Sequence, residues 1–410
     1  MPSVSVILPE KITPPTLTAP VEATVANPAI HLPVLDALRG MAVLLVISYH
    51  WMLSYYALPV HGYLRTMIPI MDTWGCGVDL FFVLSGFLIT RILIQAKGTK
   101  DGLKHFYIRR ALRIFPLYYA VLFITLVAVP HSFREHALNM PNHHSATPLW
   151  FYATNLAQTF SHEKWIYGGL DHLWSLAVEE HFYLLWPMAV FLLPRRSLTY
   201  VTTALIVLAV ATRFFFVQCL HDNSGAYLFS ICRVDGLAAG ALLAVLNMEG
   251  KLTKRLNPIF LFCLLGLPLG WYLQHNTNVV IEFTFMHLAC SLGFAGLLAL
   301  AVLNHNWLPV RFLNNPVLRF FGLYSYGMYM FHNILRPPLV PLTLIYGVDK
   351  PNNAAIAYGI VNLGLTLALA MMSYRLLERP FLRLKDKLAP SVDPPVTALP
   401  AAALAPATLS

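Results

Sequence analysis

Long apolar runs follow one another almost without interruption from Leu35 to Leu377. Each run is close to the roughly 20 residues that an α-helix needs to cross the hydrocarbon core of a bilayer. Only 11% of the 410 residues are charged and 57% are hydrophobic, whereas about a quarter of a soluble domain is charged. So little charge cannot cover a surface that faces water. The sequence therefore predicts an all-α, polytopic membrane protein with lipid around a single bundle.

The apolar runs predict about ten transmembrane helices. These begin near Leu35, Trp74, Arg113, Trp174, Leu198, Ala226, Pro258, Val280, Leu318 and Ala354. Lysine and arginine are concentrated in alternate loops, within 97–113, 195–196, 251–255, 311–319 and 375–387. The positive-inside rule assigns these loops to the cytoplasm, so both termini are predicted to be cytoplasmic. The net charge of +9 is thus interpreted as a topology signal, and no nucleic-acid partner is expected.

The chain ends differ in composition from the apolar region. Residues 1–32 are rich in Pro, Thr, Ala and Val and predict a disordered tail, residues 33–388 form the transmembrane domain, and residues 389–410 predict a flexible tail. Between the third and fourth runs, the moderately apolar segment 149–160 predicts an interfacial or re-entrant helix. The five cysteines are scattered without metal-ligand spacing, so no metal site is expected.

The first predicted span contains ionisable residues, which are expensive inside a membrane and therefore suggest function. Asp36 and Arg39 lie near its inner end, and His50 lies deep within it. The spacing of 11 residues between Arg39 and His50 is almost three helical turns, so both face the same way, about 16 Å apart along the axis. A snorkelling arginine and an unrelated histidine remain the alternative.

Four further spans carry polar residues at helical spacing. The candidates are Asp79 and Ser85 in the second span; Trp174, Ser175, Glu179, Glu180 and Tyr183 in the fourth; Arg233 and Asp235 in the sixth; and Ser325, Tyr329, His332 and Arg336 in the ninth. Close helix packing is the alternative for Ser85 with its neighbouring glycine, and for the stripe of tyrosine and serine. Arg233 needs an anionic partner so deep in an apolar run.

The predicted orientation separates these groups by depth. His50, Asp79, Glu179 and Arg233 fall in the outer half of the membrane, where they suit proton transfer. Arg39, Arg110 and Arg113 fall near the inner side, where a ring of cations suits phosphate groups.

Several sequence blocks resemble the membrane acyltransferase-3 family of bacterial sugar O-acyltransferases. The blocks are LDALRGMAVLLVISYH, GVDLFFVLSGFLI, FYIRRALRIFPLYY, HLWSLAVEEHFYLLWP, RVDGLAAGALLA, SYGMYMFHN and YRLLERPF, in the family's order from Leu35 to Phe381. The resemblance implies a ten-helix domain in the bacterial inner membrane that uses acyl-CoA, commonly acetyl-CoA, as donor substrate without a permanently bound cofactor.

The resemblance also implies roles for single residues. Arg39 and His50 match the family's signature pair, with His50 as the catalytic histidine, and Arg110 and Arg113 match its Arg-x-x-Arg element for CoA. Glu179 matches its acidic position. His181 stands where the family pattern has glutamine, which leaves the role of that position open. Only a short tail follows the membrane domain, so we expect no second catalytic domain.

These residues lead to a mechanistic hypothesis for O-acylation. His50 acts as general base or as transient acyl carrier, and Glu179 or Asp79 orients its imidazole. A carbohydrate or glycolipid acceptor is expected to contact the other polar residues of the spans, namely Asp36, Ser85, Trp174, Ser175, Glu180, Arg233, Asp235, Ser325, Tyr329 and His332. The alternative is a proton-coupled transporter that relays protons through the same groups.

Overall fold

The computed structural model describes residues 32–55, 60–140, 144–339 and 351–390, and within these ranges the chain contains helices and no β-strand. The two predicted tails lie outside the described residues except at Leu32, Ala389 and Pro390. The all-α prediction is therefore confirmed for the part of the chain that can be described.

The described helices are numbered here in chain order. They are α1 (Pro33–Tyr55), α2 (Tyr63–Asp72), α3 (Gly77–Ala96), α4 (Gly102–Phe123), α5 (His131–Ala137), α6 (Thr147–Trp150), α7 (Thr154–Phe160), α8 (Leu173–Leu192), α9 (Arg195–Gln218), α10 (Asn223–Leu228), α11 (Ser230–Met248), α12 (Asn257–Cys263), α13 (Gly266–Asn276), α14 (Val279–Leu303), α15 (Leu308–Leu313), α16 (Pro316–His332), α17 (Pro351–Ser373) and α18 (Arg379–Leu388).

Eight helical segments within the described ranges are long and apolar enough to cross a membrane. They are Pro33–Met52, Tyr63–Ala96, Gly102–Ala128, Arg195–Gln218, Asn223–Met248, Lys254–Asn276, Val279–Leu303 and Asn352–Leu388. The remaining two predicted spans form α8, whose 20 residues include two glutamates and a histidine, and α16, which has only 17 residues. Length and hydropathy thus support eight of the ten predicted spans.

Glycines allow two helix pairs to approach until their backbones touch. A Cβ added to Gly40 of α1 would lie 1.9 Å from the carbonyl oxygen of Leu318 in α16, and one added to Gly322 would lie equally close to the carbonyl of Asp36. Such contacts are typical of membrane helices that pack through small residues. They fix α1, which carries Arg39 and His50, against α16, which carries Tyr329 and His332.

Helices α3 and α11 pack in the same way. A Cβ on Gly86 would lie 1.9 Å from the carbonyl of Leu237, and a Cβ on Gly240 would lie 1.9 Å from that of Val83. Close packing was the alternative interpretation of the Ser-Gly pair in α3, and it is confirmed for the glycine. The serine at position 85 faces a cavity instead.

The segment between α4 and α8 forms short helices rather than a single interfacial one. The predicted helix at 149–160 is divided between α6 and α7. Asn155 of α7 is buried and its amide donates a hydrogen bond of 2.8 Å to Ser230 Oγ at the start of α11. This polar contact anchors the segment to the bundle at the start of α11.

Candidate active site

Five helices enclose a polar cavity that we call the arginine cavity. Its empty volume is about 830 Å³. The polar lining residues come from α1, α3, α4, α8 and α16, and they are Arg39, Ser85, Arg110, Arg113, Ser175, Glu179, Tyr183, Ser325, Tyr326 and Tyr329. Seven apolar residues complete the wall, namely Val78, Phe81, Phe82, Leu84, Leu88, Ile114 and Leu176.

The charge of this lining is strongly positive. Three arginines face it together with a single carboxylate, that of Glu179. The guanidinium of Arg110 lies 4.4 Å from the ring centroid of Tyr183. The hydroxyl of Tyr183 donates a 3.1 Å hydrogen bond to Glu179 and also bonds to the hydroxyl of Ser85. The cavity therefore favours an anionic ligand, because an arginine fork matches phosphate oxygens.

A second cavity, which we call the histidine cavity, has an empty volume of about 1440 Å³. It is lined by Val46, Tyr49, His50, Gly75, Val78, Trp165, Asp171, His172, Trp174, Ser224, Tyr227, Gln274, Glu282, Phe283, Met286, Tyr329, Asn333 and Arg336. Aromatic rings and titratable groups dominate this lining, in contrast to the fixed cations of the arginine cavity.

The hydrogen bonding of His50 defines its tautomer. Its Nδ1 lies 2.9 Å from the carbonyl oxygen of Val46, and a carbonyl can only accept, so Nδ1 carries the proton. The Nε2 atom of a neutral His50 therefore keeps its lone pair, as a general base requires. The ring of His332 packs edge-on at 4.8 Å from that of His50, and the ring of His172 lies 4.9 Å beyond His332.

Val78 and Tyr329 line both cavities and form the wall between them. The hydroxyl of Tyr329 donates a 2.8 Å hydrogen bond to the carbonyl of His172. Ser175 lies 2.5 Å from the same hydroxyl and is therefore the donor to it. These bonds connect α16 to the start of α8 at the point where the two cavities meet.

Two buried ion pairs lie beside the cavities rather than in their linings. Asp79 is 2.9 Å from Arg233 and 3.4 Å from His287, and Asp235 is 2.8 Å from Arg213. The anionic partner expected for Arg233 is thus Asp79. The Arg233 guanidinium also lies 5.5 and 5.0 Å from the rings of Trp174 and Tyr227, which line the histidine cavity.

The sequence predicted that Asp79 or Glu179 would contact His50, and the structure pairs both carboxylates with other residues. Asp79 is held by Arg233 and His287, and Glu179 faces the arginine cavity, where Tyr183 donates to it. Neither contacts His50, whose Nδ1 is engaged by its own helix backbone. The prediction that one of these acids orients the imidazole is therefore wrong, because residue spacing does not reveal which helices are neighbours.

The predicted site residues divide into three groups. The first group lines the arginine cavity and comprises Arg39, Ser85, Arg110, Arg113, Ser175, Glu179, Ser325 and Tyr329. The second group belongs to the histidine cavity: His50 and Trp174 line it, and the ring of His332 packs against that of His50. The third group lines neither cavity and comprises Asp36, Asp79, Glu180, Arg233 and Asp235. Within it, Asp36 forms a 3.0 Å ion pair with Arg39. His181 bonds to Ser230 at 2.7 Å, away from both cavities.

Several residues of the histidine cavity were missed from the sequence. His172 is the first residue of the block HLWSLAVEEHFYLLWP, so its position in that motif was an available signal. Asp171, Trp165 and Tyr227 lie in loops or ordinary apolar segments, where nothing in their spacing distinguishes them from packing residues. Only the folded arrangement brings them together.

Comparison with known proteins gives a family for this arrangement. The family profile described as an acyltransferase domain matches residues 32–375. The peptidoglycan O-acetyltransferase OatA of Listeria monocytogenes is 29% identical over 371 residues, covering 85% of this chain and 56% of that protein. The "Putative peptidoglycan O-acetyltransferase YrhL" of Bacillus subtilis is 28% identical over 382 residues, covering 85% and 55%. The chain thus spans little more than half the length of these relatives. No solved structure matches it.

Proposed function

Because the chain belongs to the acyltransferase-3 family, we propose that it is a membrane O-acyltransferase that transfers an acyl group, in the simplest case acetyl, from acyl-CoA to a sugar hydroxyl. The observation that carries this proposal is the meeting of the arginine cavity and the histidine cavity at Tyr329. One cavity suits a polyanionic donor and the other suits proton transfer, and a thioester at the shared wall would be accessible from both.

The donor site is assigned to the arginine cavity. Arg110 and Arg113 would bind phosphates of CoA, and Arg39, which is on the same helix as His50, would contact the arm that carries the thioester. Charge-assisted bonds from guanidinium groups to phosphates are among the strongest polar contacts in proteins. The cavity's single carboxylate, Glu179, accepts a hydrogen bond from Tyr183, and Arg39 is paired with Asp36, so Arg110 and Arg113 are the cations that we assign to the phosphates.

The chemical step is assigned to His50. Its Nε2 lone pair takes the proton of the acceptor hydroxyl as the oxygen attacks the thioester carbonyl. The carbon–sulfur bond then breaks, and the thiolate of CoA takes the proton back from the imidazolium. Attack by Nε2 itself, with a transient acyl-histidine, is the alternative route through the same atom.

The proposed orientation follows the basic loops. The arginine cavity opens toward the cytoplasm, where CoA is present, and both termini lie on that side of a bacterial inner membrane. In this arrangement α8 and α16 complete a ten-helix bundle. Both are polar for membrane helices because they line the cavities, and polar residues inside membranes face the bundle interior.

The acceptor is proposed to be a sugar of a surface polysaccharide, a glycolipid or a glycoside. Both relatives carry names that refer to peptidoglycan O-acetylation, which favours a cell-envelope glycan. Family membership gives the transporter alternative no support, and binding of CoA distinguishes the two functions directly.

The test is release of free CoA from acetyl-CoA by the purified, detergent-solubilised protein, with His50→Ala beside the wild type. We expect release by the wild type and its loss in the variant. A folded wild-type protein that neither binds nor cleaves acetyl-CoA or a longer acyl-CoA would overturn the proposed function.

A further inference from the structure

Arg336 lines the histidine cavity four residues beyond His332. It makes no ion pair with any residue in the described ranges, and its Nε atom is buried without a hydrogen-bond partner. A cation without an ion-pair partner on the wall that also carries His50 suggests a site for an anion.

Two other buried arginines lie outside both cavities, and each of them is paired with a carboxylate of the chain. Arg213 and Arg233 are fully buried, line neither cavity and are paired with Asp235 and Asp79 at 2.8 and 2.9 Å. An unpaired buried charge is strongly destabilising, which explains those partners. Arg336 differs because it borders a cavity that a charged ligand can enter.

Neither of the two acids of the histidine cavity forms an ion pair with Arg336, although the guanidinium charge is near enough to lower the pKa of Asp171 against the effect of burial. Oδ1 of Asp171 accepts hydrogen bonds from the amide of Gln158 at 2.8 Å and from the backbone N–H of Tyr167 at 2.7 Å. Burial raises the pKa of Asp171 to about 7, which weakens this carboxyl group as a fixed counter-charge. Glu282 approaches from α14 and forms no ion pair with Arg336.

We propose that Arg336 binds an oxyanion of the acceptor, so that the acceptor is an acidic sugar with a carboxylate or phosphate near the hydroxyl that is acylated. The inference rests on the proposed function and adds the charge class of the substrate. A guanidinium provides two parallel donors that match either oxyanion. His50 and Arg336 would then contact two different groups of one sugar, which fixes the orientation of its reactive hydroxyl.

The experiment measures equilibrium binding of sugars to the detergent-solubilised protein without acyl-CoA. The three probes share one ring: N-acetylglucosamine is neutral, N-acetylmuramic acid carries a carboxylate, and N-acetylglucosamine 1-phosphate carries a phosphate. We expect at least one acidic probe to bind at least about 10-fold more tightly than the neutral one, since a hydrogen bond to a charged group raises affinity by about 10-fold or more. The stronger of the two acidic probes identifies the oxyanion.

Two substitutions test whether Arg336 is the cause. Arg336→Gln should reduce the preference for the acidic probe by about 10- to 100-fold, and Arg336→Lys should retain part of it, because lysine keeps the charge but not the fork. Arg65→Gln is the matched control, since Arg65 is exposed on α2 and lines neither cavity. That control should bind all three sugars as the wild type does.

The outcomes separate this inference from the proposed function. Equal affinity of the wild type for neutral and acidic probes, no binding of either acidic probe, or an equal loss for all probes in Arg336→Gln would each overturn the role of Arg336. None of these results depends on the donor, whereas failure of CoA release would overturn the acyl transfer and leave the preference for an acidic sugar measurable.

Discussion

The arginine cavity and the histidine cavity are both polar spaces inside an apolar bundle, yet their charged groups are of different kinds. The arginine cavity contains three guanidinium groups, a type of side chain that carries a fixed positive charge. The histidine cavity contains one guanidinium group, that of Arg336, among imidazoles and carboxylic acids that can gain or lose a proton and among aromatic rings. Fixed charge suits binding of a polyanion, and titratable groups suit proton transfer. A division between binding and chemistry follows from the residue types alone.

The largest effect should come from the histidine side. His50→Ala is expected to lower the rate of CoA release by about 100- to 10,000-fold, the usual contribution of a general acid–base group. The affinity for CoA should stay within about 2-fold, because His50 does not line the arginine cavity. Binding of CoA by the purified variant is the measurement. His61→Ala is the control, since His61 is exposed and outside both linings. A parallel loss of CoA affinity would show that the two cavities are not separate sites.

A second test concerns the ion pairs that lie outside both cavities. Asp79→Asn leaves Arg233 buried without a charged partner and should destabilise the fold by about 3–5 kcal/mol. Thermal unfolding in detergent measures this loss. The double variant Asp79→Asn/Arg233→Met should recover part of it, because the unpaired charge is removed. A single variant as stable as the wild type would contradict the structural role of the pair.

The arginine side should affect donor binding rather than chemistry. Arg110→Gln and Arg113→Gln are each expected to raise the KM for acetyl-CoA about 10-fold, in line with the loss of one charge-assisted hydrogen bond, and to change kcat little. S-acetylpantetheine is the control donor, since it lacks the phosphates. An equal loss with that donor would place these arginines at the reacting group and would merge the roles of the two cavities.

The smallest effect should come from the wall between the cavities. Tyr329→Phe removes the hydroxyl that joins Ser175 to the carbonyl of His172. A net contribution of about 1 kcal/mol from neutral hydrogen bonding predicts a decrease of about 5-fold in acyl transfer at constant CoA affinity. Tyr324→Phe is the matched control on the same helix, because Tyr324 lines neither cavity. An unchanged transfer rate would mean that the hydroxyl does not order the junction.

The sequence predicted the composition of each cavity better than the contacts within it. Helical spacing brought Arg39 and His50 to one face and aligned Ser175 with Glu179, because both relations lie within one helix. The partner of Asp79 is on α11, and no spacing argument within α3 indicates which helix lies opposite. The same limit explains why His172 was missed and why Asp235, now paired with Arg213, was assigned to substrate.

Length and hydropathy do not support α8 and α16 as membrane spans, and the fold gives the reason. Helices α8 and α16 carry many of the cavity side chains, and α8 includes adjacent glutamates. A helix inside a bundle meets other helices rather than lipid, so its composition is not restricted to apolar residues. In the proposed ten-helix arrangement, the two segments that hydropathy supports least contribute seven of the 17 residues that line the arginine cavity.

The wall formed by Val78 and Tyr329 has an electrical consequence in the proposed orientation. If each cavity is filled with water from its own side, the membrane voltage falls mainly across this thin layer, and an elementary charge that crosses it experiences about 2.3 kcal/mol per 100 mV. In the proposed reaction the phosphates of CoA remain on one side and the acceptor's charge remains on the other. The acyl group crosses in one direction and the proton of the acceptor hydroxyl crosses in the other, to the sulfur of CoA. No net charge crosses, so the membrane potential neither drives nor opposes the overall transfer.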